Sequence, residues 1–121
     1  MNHFTVIAED EQKTLDFYVG LLGMTVGRRP DLGFPGAWLY AGGPAAVLHV
    51  YFDHPVPAQR AGVIDHMAFS AADLHAVKAR FDAAGIRYDL SQQAGASTWQ
   101  LFSQDPNGAK VELDFDAAER P

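Results

Sequence analysis

The apolar and polar positions follow the same succession twice. Asn2 to Asp10 begins with Phe4-Thr5-Val6-Ile7 and ends at an Asp; a shift of 63 positions lays Asp65 to Asp73 over it, with Met67-Ala68-Phe69 at the matching place. Each reads as a short strand, and each Asp (Asp10, Asp73) as the N-cap of a following helix. Helical patterns follow, Leu15 to Leu22 and Val77 to Ala84, each closed by a glycine, Gly23 and Gly85, and here the match needs a slip of one residue. Ala37-Trp38-Leu39-Tyr40 and Thr98-Trp99-Gln100-Leu101-Phe102 read as aromatic-rich strands. Turn sequences Gly42-Gly43-Pro44 and Asp105-Pro106-Asn107-Gly108 lead into a last pair of strands, Ala46 to Asp53 and Ala109 to Asp116, again 63 apart. Each half is therefore expected to run β-α-β-β-β. The chain as a whole is expected to be one α+β domain, with module 1 at about 1–53, a Pro-containing linker at about 54–61 and module 2 at about 62–117.

Composition narrows the chemistry. A chain of 121 residues, 48% hydrophobic and 20% charged, suits one soluble domain with a real core. No apolar run is long enough to span a membrane. Met1-Asn2-His3-Phe4 shows no basic segment leading into an apolar one, so the expected location is the cytoplasm. A net charge of −6 and scattered basic residues give no reason to expect nucleic acid. With no cysteine, disulfides and thiolate ligands are excluded, and any metal must rest on His, Asp or Glu.

Four such residues occupy matched positions. His3 and His66 stand at the same point of the two first strands, and His49 and Glu112 at the same point of the two last ones. Forty-six residues separate the members of each pair, 3 to 49 and 66 to 112. If two equivalent half-sheets face each other about a pseudo-twofold axis, the four side chains converge. Imidazole and carboxylate suit one divalent ion per site: zinc, nickel, iron(II), manganese or cobalt. A histidine in a strand is by itself more often packed or solvated than a ligand, and Glu112 could be met by an arginine. Its place in Val111-Glu112-Leu113 nevertheless reads as a core strand, where an unpaired carboxylate is costly. His54, in the Pro-flanked loop, and His75, on a helix, are assigned no part in the site.

These residues resemble the vicinal oxygen chelate superfamily of glyoxalases, bleomycin-resistance proteins and extradiol dioxygenases, over nearly the whole chain. Asp65-His66-Met67-Ala68-Phe69 is similar to the family's D-H-I-A-F strand, and Phe102 to Leu113 to its F-x-x-D-P-x-G-x-x-[IVL]-E-L ending. Leu15 to Met24 resembles its first helix. The resemblance implies two tandem βαβββ modules forming a pair of half-barrels, a metal on His3, His49, His66 and Glu112, and a metal acting as Lewis acid toward vicinal oxygens. It is nearest the glyoxalase I branch and implies an enzyme of lyase or isomerase type, with Glu112 and His49 as catalytic groups. That branch often carries Glu where this chain has His49, and some bacterial members carry an arginine where it has Ile7. Two His and one Glu also resemble extradiol dioxygenases and fosfomycin-type thiol transferases, although the latter tend to have Tyr at the place of Phe102. A non-catalytic binder like the bleomycin-resistance proteins is a further alternative, disfavoured by the full ligand set.

Alternation along the strands nominates neighbours of the ligands: Thr5, Ala68, Tyr51 and Asp114. Thr5, Trp38, Tyr51, Gln100 and Phe102 are the candidate substrate-binding residues. Trp38 and Trp99 suit a core at least as well as a pocket wall, and Arg28-Arg29 reads as a solvated pair more readily than as an anion clamp. The partners expected are a small-molecule substrate and a second copy of the chain. The resemblance implies a homodimer in which His3 and His49 of one subunit join His66 and Glu112 of the other.

Overall fold

Strand β1 (Phe4–Ile7) leads to Asp10, whose side chain accepts the backbone N–H of Lys13 at 2.9 Å and so caps helix α1 (Glu11–Leu15). The helix runs directly into a π-helical stretch, Asp16–Leu21, in which Leu22 N–H reaches back five residues to Phe17 O. Its buried side is Phe17, Tyr18 and Leu21. Three strands follow: β2 (Thr25–Gly27), β3 (Gly36–Tyr40) and β4 (Ala46–Tyr51). The second half repeats the plan with β5 (Met67–Ser70), α2 (Leu74–Ala84), β6 (Tyr88–Gln92), β7 (Trp99–Gln104) and β8 (Lys110–Phe115). The computed structural model describes residues 1–121 and resolves them into two compact units, 1–60 and 61–121.

Each unit is a four-stranded mixed sheet with one helical segment, the β-α-β-β-β order expected from the sequence. The first sheet has the order β1-β4-β3-β2 and the second β5-β8-β7-β6. The first and last strands of each unit lie side by side and parallel, which needs the helix as crossover, and the remaining pairs are antiparallel. The parallel registers are the same after the 63-residue shift: Thr5 pairs His49, and Ala68 pairs Glu112. Alternation then sorts each sheet into two faces. On β4, Ala46, Leu48 and Val50 are buried, while Val47, His49 and Tyr51 are half-buried. On β8, Val111, Leu113 and Phe115 are buried on one face, opposite Lys110, Glu112 and Asp114.

The core of the first unit is built from Phe17, Tyr18, Leu39, Leu48 and Val50, and that of the second from Leu74, Val77, Phe81, Leu101, Val111 and Phe115. Burying each large apolar side chain contributes about 1.5–3 kcal/mol. The C-terminal segment ties down the second unit: Glu119 Oε1 accepts Leu74 N–H at 2.7 Å, at the start of α2, and Glu119 O accepts Trp99 Nε1–H at 2.9 Å. No helix is long and apolar enough to cross a membrane.

Candidate metal centre

In the first unit His3 lies just ahead of β1 and is exposed, while His49 lies on β4 and is half-buried. Their rings stack with centroids 3.8 Å apart and planes 14° from parallel. Trp38, the cross-strand partner of His49, covers its other face at 4.2 Å and 10°. Burial above all, then the charges of His3 and Arg29, push the His49 pKa below the ordinary histidine value, which favours the neutral ring with a free lone pair. Stacked rings direct their in-plane lone pairs along parallel planes, so one ring must turn before the two can share an ion. His3, outside the strand and exposed, has the freedom; His49 is held by the sheet and Trp38.

The surroundings of His49 are more built than the sequence suggested. Arg28 is exposed, but Arg29 is half-buried, with Nη2–H donating to Phe34 O at 3.1 Å and the guanidinium 5.0 Å from the Phe34 ring. The reading of a solvated pair therefore fails for Arg29. Gly36 makes the room, since a Cβ there would stand 2.7 Å from Arg29 Nη2 and 2.6 Å from Val50 O. Tyr51, two residues from His49, meets Phe34 at 4.9 Å and His54 at 5.0 Å. Arg29, Phe34 and His54 belong to irregular segments, where periodicity gives no signal. Thr5 is exposed, and Trp38 has a buried indole N–H without a hydrogen-bond partner.

In the second unit the pair is closed. His66 Nε2 lies 2.6 Å from Glu112 Oε2, and Glu112 is only 5% exposed. Gln100, on the same face of β7, donates from Nε2 to the other carboxylate oxygen, Oε1. Gln100 was expected as pocket wall; its amide is engaged in holding Glu112. Phe102, cross-strand partner of Glu112, meets the His66 ring edge-on at 5.3 Å. Burial first, then hydrogen bonding and charge from Asp114, push the Glu112 carboxyl above the usual range, partly offset by Gln100 and His66. One oxygen of Asp114 is itself buried without a partner. On the outer side of His66, Asp65 Oδ2 lies 2.7 Å from Nδ1 and 3.2 Å from Lys110 Nζ. Hydrogen bonds from His66 and then Lys110 hold the Asp65 carboxyl below its ordinary range.

The turn before β8 is what aims Glu112. Asp105 is 4% exposed, and its carboxylate accepts the backbone N–H groups of Asn107 and Ala109 at 2.8 and 2.9 Å. Gly108 takes φ of 91°, a value an L side chain rarely adopts. The Asp-Pro-x-Gly sequence is thus a structural device.

The four expected ligands stand as two pairs, one per unit, and no three His, Asp or Glu side chains are placed so that together they could hold a metal ion. The donor set fits a divalent ion in kind: neutral imidazole from His49, and a carboxylate facing an imidazole nitrogen within 2.6 Å, with a buried unpartnered oxygen of Asp114 on the same strand face. His75 is exposed on α2, as expected.

Residues 1–113 match the Glyoxalase/Bleomycin resistance protein/Dioxygenase superfamily. Over 120 residues the chain is 29% identical to Glyoxylase I 4 of Arabidopsis thaliana, covering 93% of this chain and 68% of that protein. Over 119 residues it is 33% identical to the Glutathione transferase FosA of Serratia marcescens, covering 93% and 78%. The crystal structure of a glyoxalase family protein from Bacillus anthracis superposes with a TM-score of 0.76 at 19% identity, over 96% of this chain and 93% of that one, which is a likeness of fold. With its two β-α-β-β-β units and a family match running through Glu112, the chain belongs to the glyoxalase/bleomycin resistance protein/dioxygenase superfamily.

Proposed function

We propose that the chain is a metal-dependent enzyme of glyoxalase type, a lyase or isomerase, acting on a small substrate whose neighbouring oxygens a divalent ion chelates. His3, His49, His66 and Glu112 would hold the ion. The observation that carries this reading is the buried Glu112 with His66 Nε2 2.6 Å from its Oε2, a carboxyl and an imidazole brought together at the matched positions of their strands. A shared proton joins the two at this distance, as in a purely structural pair, but the equivalent place in the other unit holds a second imidazole, His49, whose burial favours the neutral ring. That repetition favours an ion over a pair formed for stability.

When bound, the metal supplies Lewis acidity, stabilising negative charge on a substrate oxygen. The chain's own groups do the rest. Glu112 and His49 are the candidates for moving a proton beside the substrate, Glu112 being steadied on one oxygen by Gln100. Trp38 offers a buried N–H donor, and Thr5, Tyr51 and Phe102 line the same faces as the ligands. Metal sites shared between two subunits of a homodimer are part of this proposal.

Thiol transfer is the second reading, favoured by the 33% identity to a glutathione transferase. Assays of a panel of small substrates with vicinal oxygens, run with and without glutathione, separate the two by product: rearrangement in one case, a thiol adduct in the other. His66→Ala is expected to lose metal and turnover together. Turnover that survives the loss of metal would refute both readings, and tight ligand binding without product, indifferent to chelator, would make the protein a binder.

A further inference from the structure

A polar cluster stands on the same face of the first sheet as His49. Gly36 pairs Tyr51 and Trp38 pairs His49, so both couples share the half-buried side of β3 and β4. Two residues of strand separate the couples, roughly 7 Å. The Arg29 guanidinium lies over Gly36, where a Cβ would stand 2.7 Å from Nη2. Phe34 is the platform beneath the cluster. Its ring has the Arg29 guanidinium carbon at 5.0 Å, Tyr51 edge-on at 4.9 Å and His54 at 5.0 Å. His54 is held in turn by Phe52 O, 2.9 Å from its Nδ1.

The cluster has no acid of its own. Arg29 is half-buried, and burying a cation without a counter-charge is costly. The chain carries 15 acidic residues against nine basic ones, so a partner was easy to supply. Yet no carboxylate lies within ion-pair distance of Arg29. Asp31, two residues along, turns its Oδ1 to Gly33 N–H at 3.0 Å instead. Arg29 Nη2–H donates to Phe34 O, and the rest of the guanidinium edge meets no acceptor of the chain. The Tyr51 hydroxyl makes no hydrogen bond within the chain either. A guanidinium edge is a planar fork that matches a carboxylate in shape as well as charge.

We propose that Arg29, with Tyr51 beside it, is the subsite for a carboxylate carried by the substrate. The substrate class is then an organic acid whose carboxylate stands about one strand step from the neighbouring oxygens that the ion chelates. The proposal deepens the metal-dependent reading above and rests on it for the chelated oxygens. Arg29 sets specificity and moves no proton. Phe34 and Gly36 hold its fork on the face that carries His49.

The probes are catechol rings, whose adjacent oxygens chelate zinc, bearing either a carboxylate or the neutral carboxamide in its place. Calorimetric titration of the full, zinc-loaded chain reads the ratio of the two affinities. The wild type is expected to favour the acid roughly 10–100-fold. Arg29→Gln should bring the ratio near unity, Arg29→Lys should keep only part of it, and Tyr51→Phe should lower it by a smaller factor. A readout that needs no variant is the Arg29 Nε–H resonance, which should shift with the acid and stay in place with the amide. An arginine that only pins the loop to Phe34 O would move neither the ratio nor the resonance. Equal affinities in the wild type, or a preference that survives in folded Arg29→Gln, would overturn the subsite. A chain that takes up no zinc would overturn the metal-centre reading instead. The ratio is then taken on the metal-free protein, where the lack of any preference overturns the subsite as well.

Discussion

At the scale of single residues, the sequence was most informative where a charge is set against an apolar pattern. Glu112 stands between Val111 and Leu113, and all three are buried, as that triplet implied. The partners of such groups were less legible. Nothing in the spacing of Gln100 says that its amide turns to Glu112, and nothing in Arg29 says that it lies on Phe34 beside His49. Those contacts depend on side-chain direction and on loop paths, which periodicity does not encode. Tyr88 is another example, donating to Asp82 Oδ1 at 2.7 Å. That bond, ahead of burial, pushes the Tyr88 pKa above its ordinary value. A raised folded pKa gives stability that is complete below the unfolded value, about 10, and lost as pH rises through the folded one. Melting temperatures should therefore fall more steeply as pH rises above about 10 in the wild type than in Tyr88→Phe; equal slopes would show that this bond contributes nothing.

At the scale of elements, caps and turns carried the fold. Asp10 and Asp73 cap the two helices as their positions implied, and Gly23 and Gly85 take the positive φ that helix ends favour. The one-residue slip between the helices has a physical cause: a π-helical turn in the first unit accommodates one extra residue, so Gly23 falls one place later than Gly85 would put it. Strands β2 and β6 had no residues assigned from sequence. Thr25–Gly27 is exposed throughout, and an edge strand without a buried face leaves no alternation to read. The Asp105 turn makes the clearest energetic prediction. Asp105→Ala removes two charge-assisted hydrogen bonds from backbone N–H groups and should destabilise by about 2–4 kcal/mol. Asp105→Asn should cost about half as much. Urea unfolding midpoints check both, and a shift below about 1 kcal/mol in Asp105→Ala would show that the turn holds without its side chain.

At the scale of the whole molecule, the duplication was legible because the parallel registers keep one shift, Thr5 with His49 and Ala68 with Glu112. The assembly is a proposal that complementation can decide. If His3 and His49 of one subunit join His66 and Glu112 of the other, a heterodimer of His49→Ala and Glu112→Ala contains one site with both defects and one intact site. Co-refolding the two inactive variants should then recover metal, at up to one ion per heterodimer. If each site lies within one chain, mixing restores nothing.

Whether His3, His49, His66 and Glu112 together hold one divalent ion is decided by elemental analysis of the protein purified without a histidine tag. About one transition metal per chain is expected in the wild type, with most of it lost in each of His3→Ala, His49→Ala, His66→Ala and Glu112→Ala. A folded wild type that stays metal-free after reconstitution with zinc, nickel, iron(II), manganese and cobalt would contradict it.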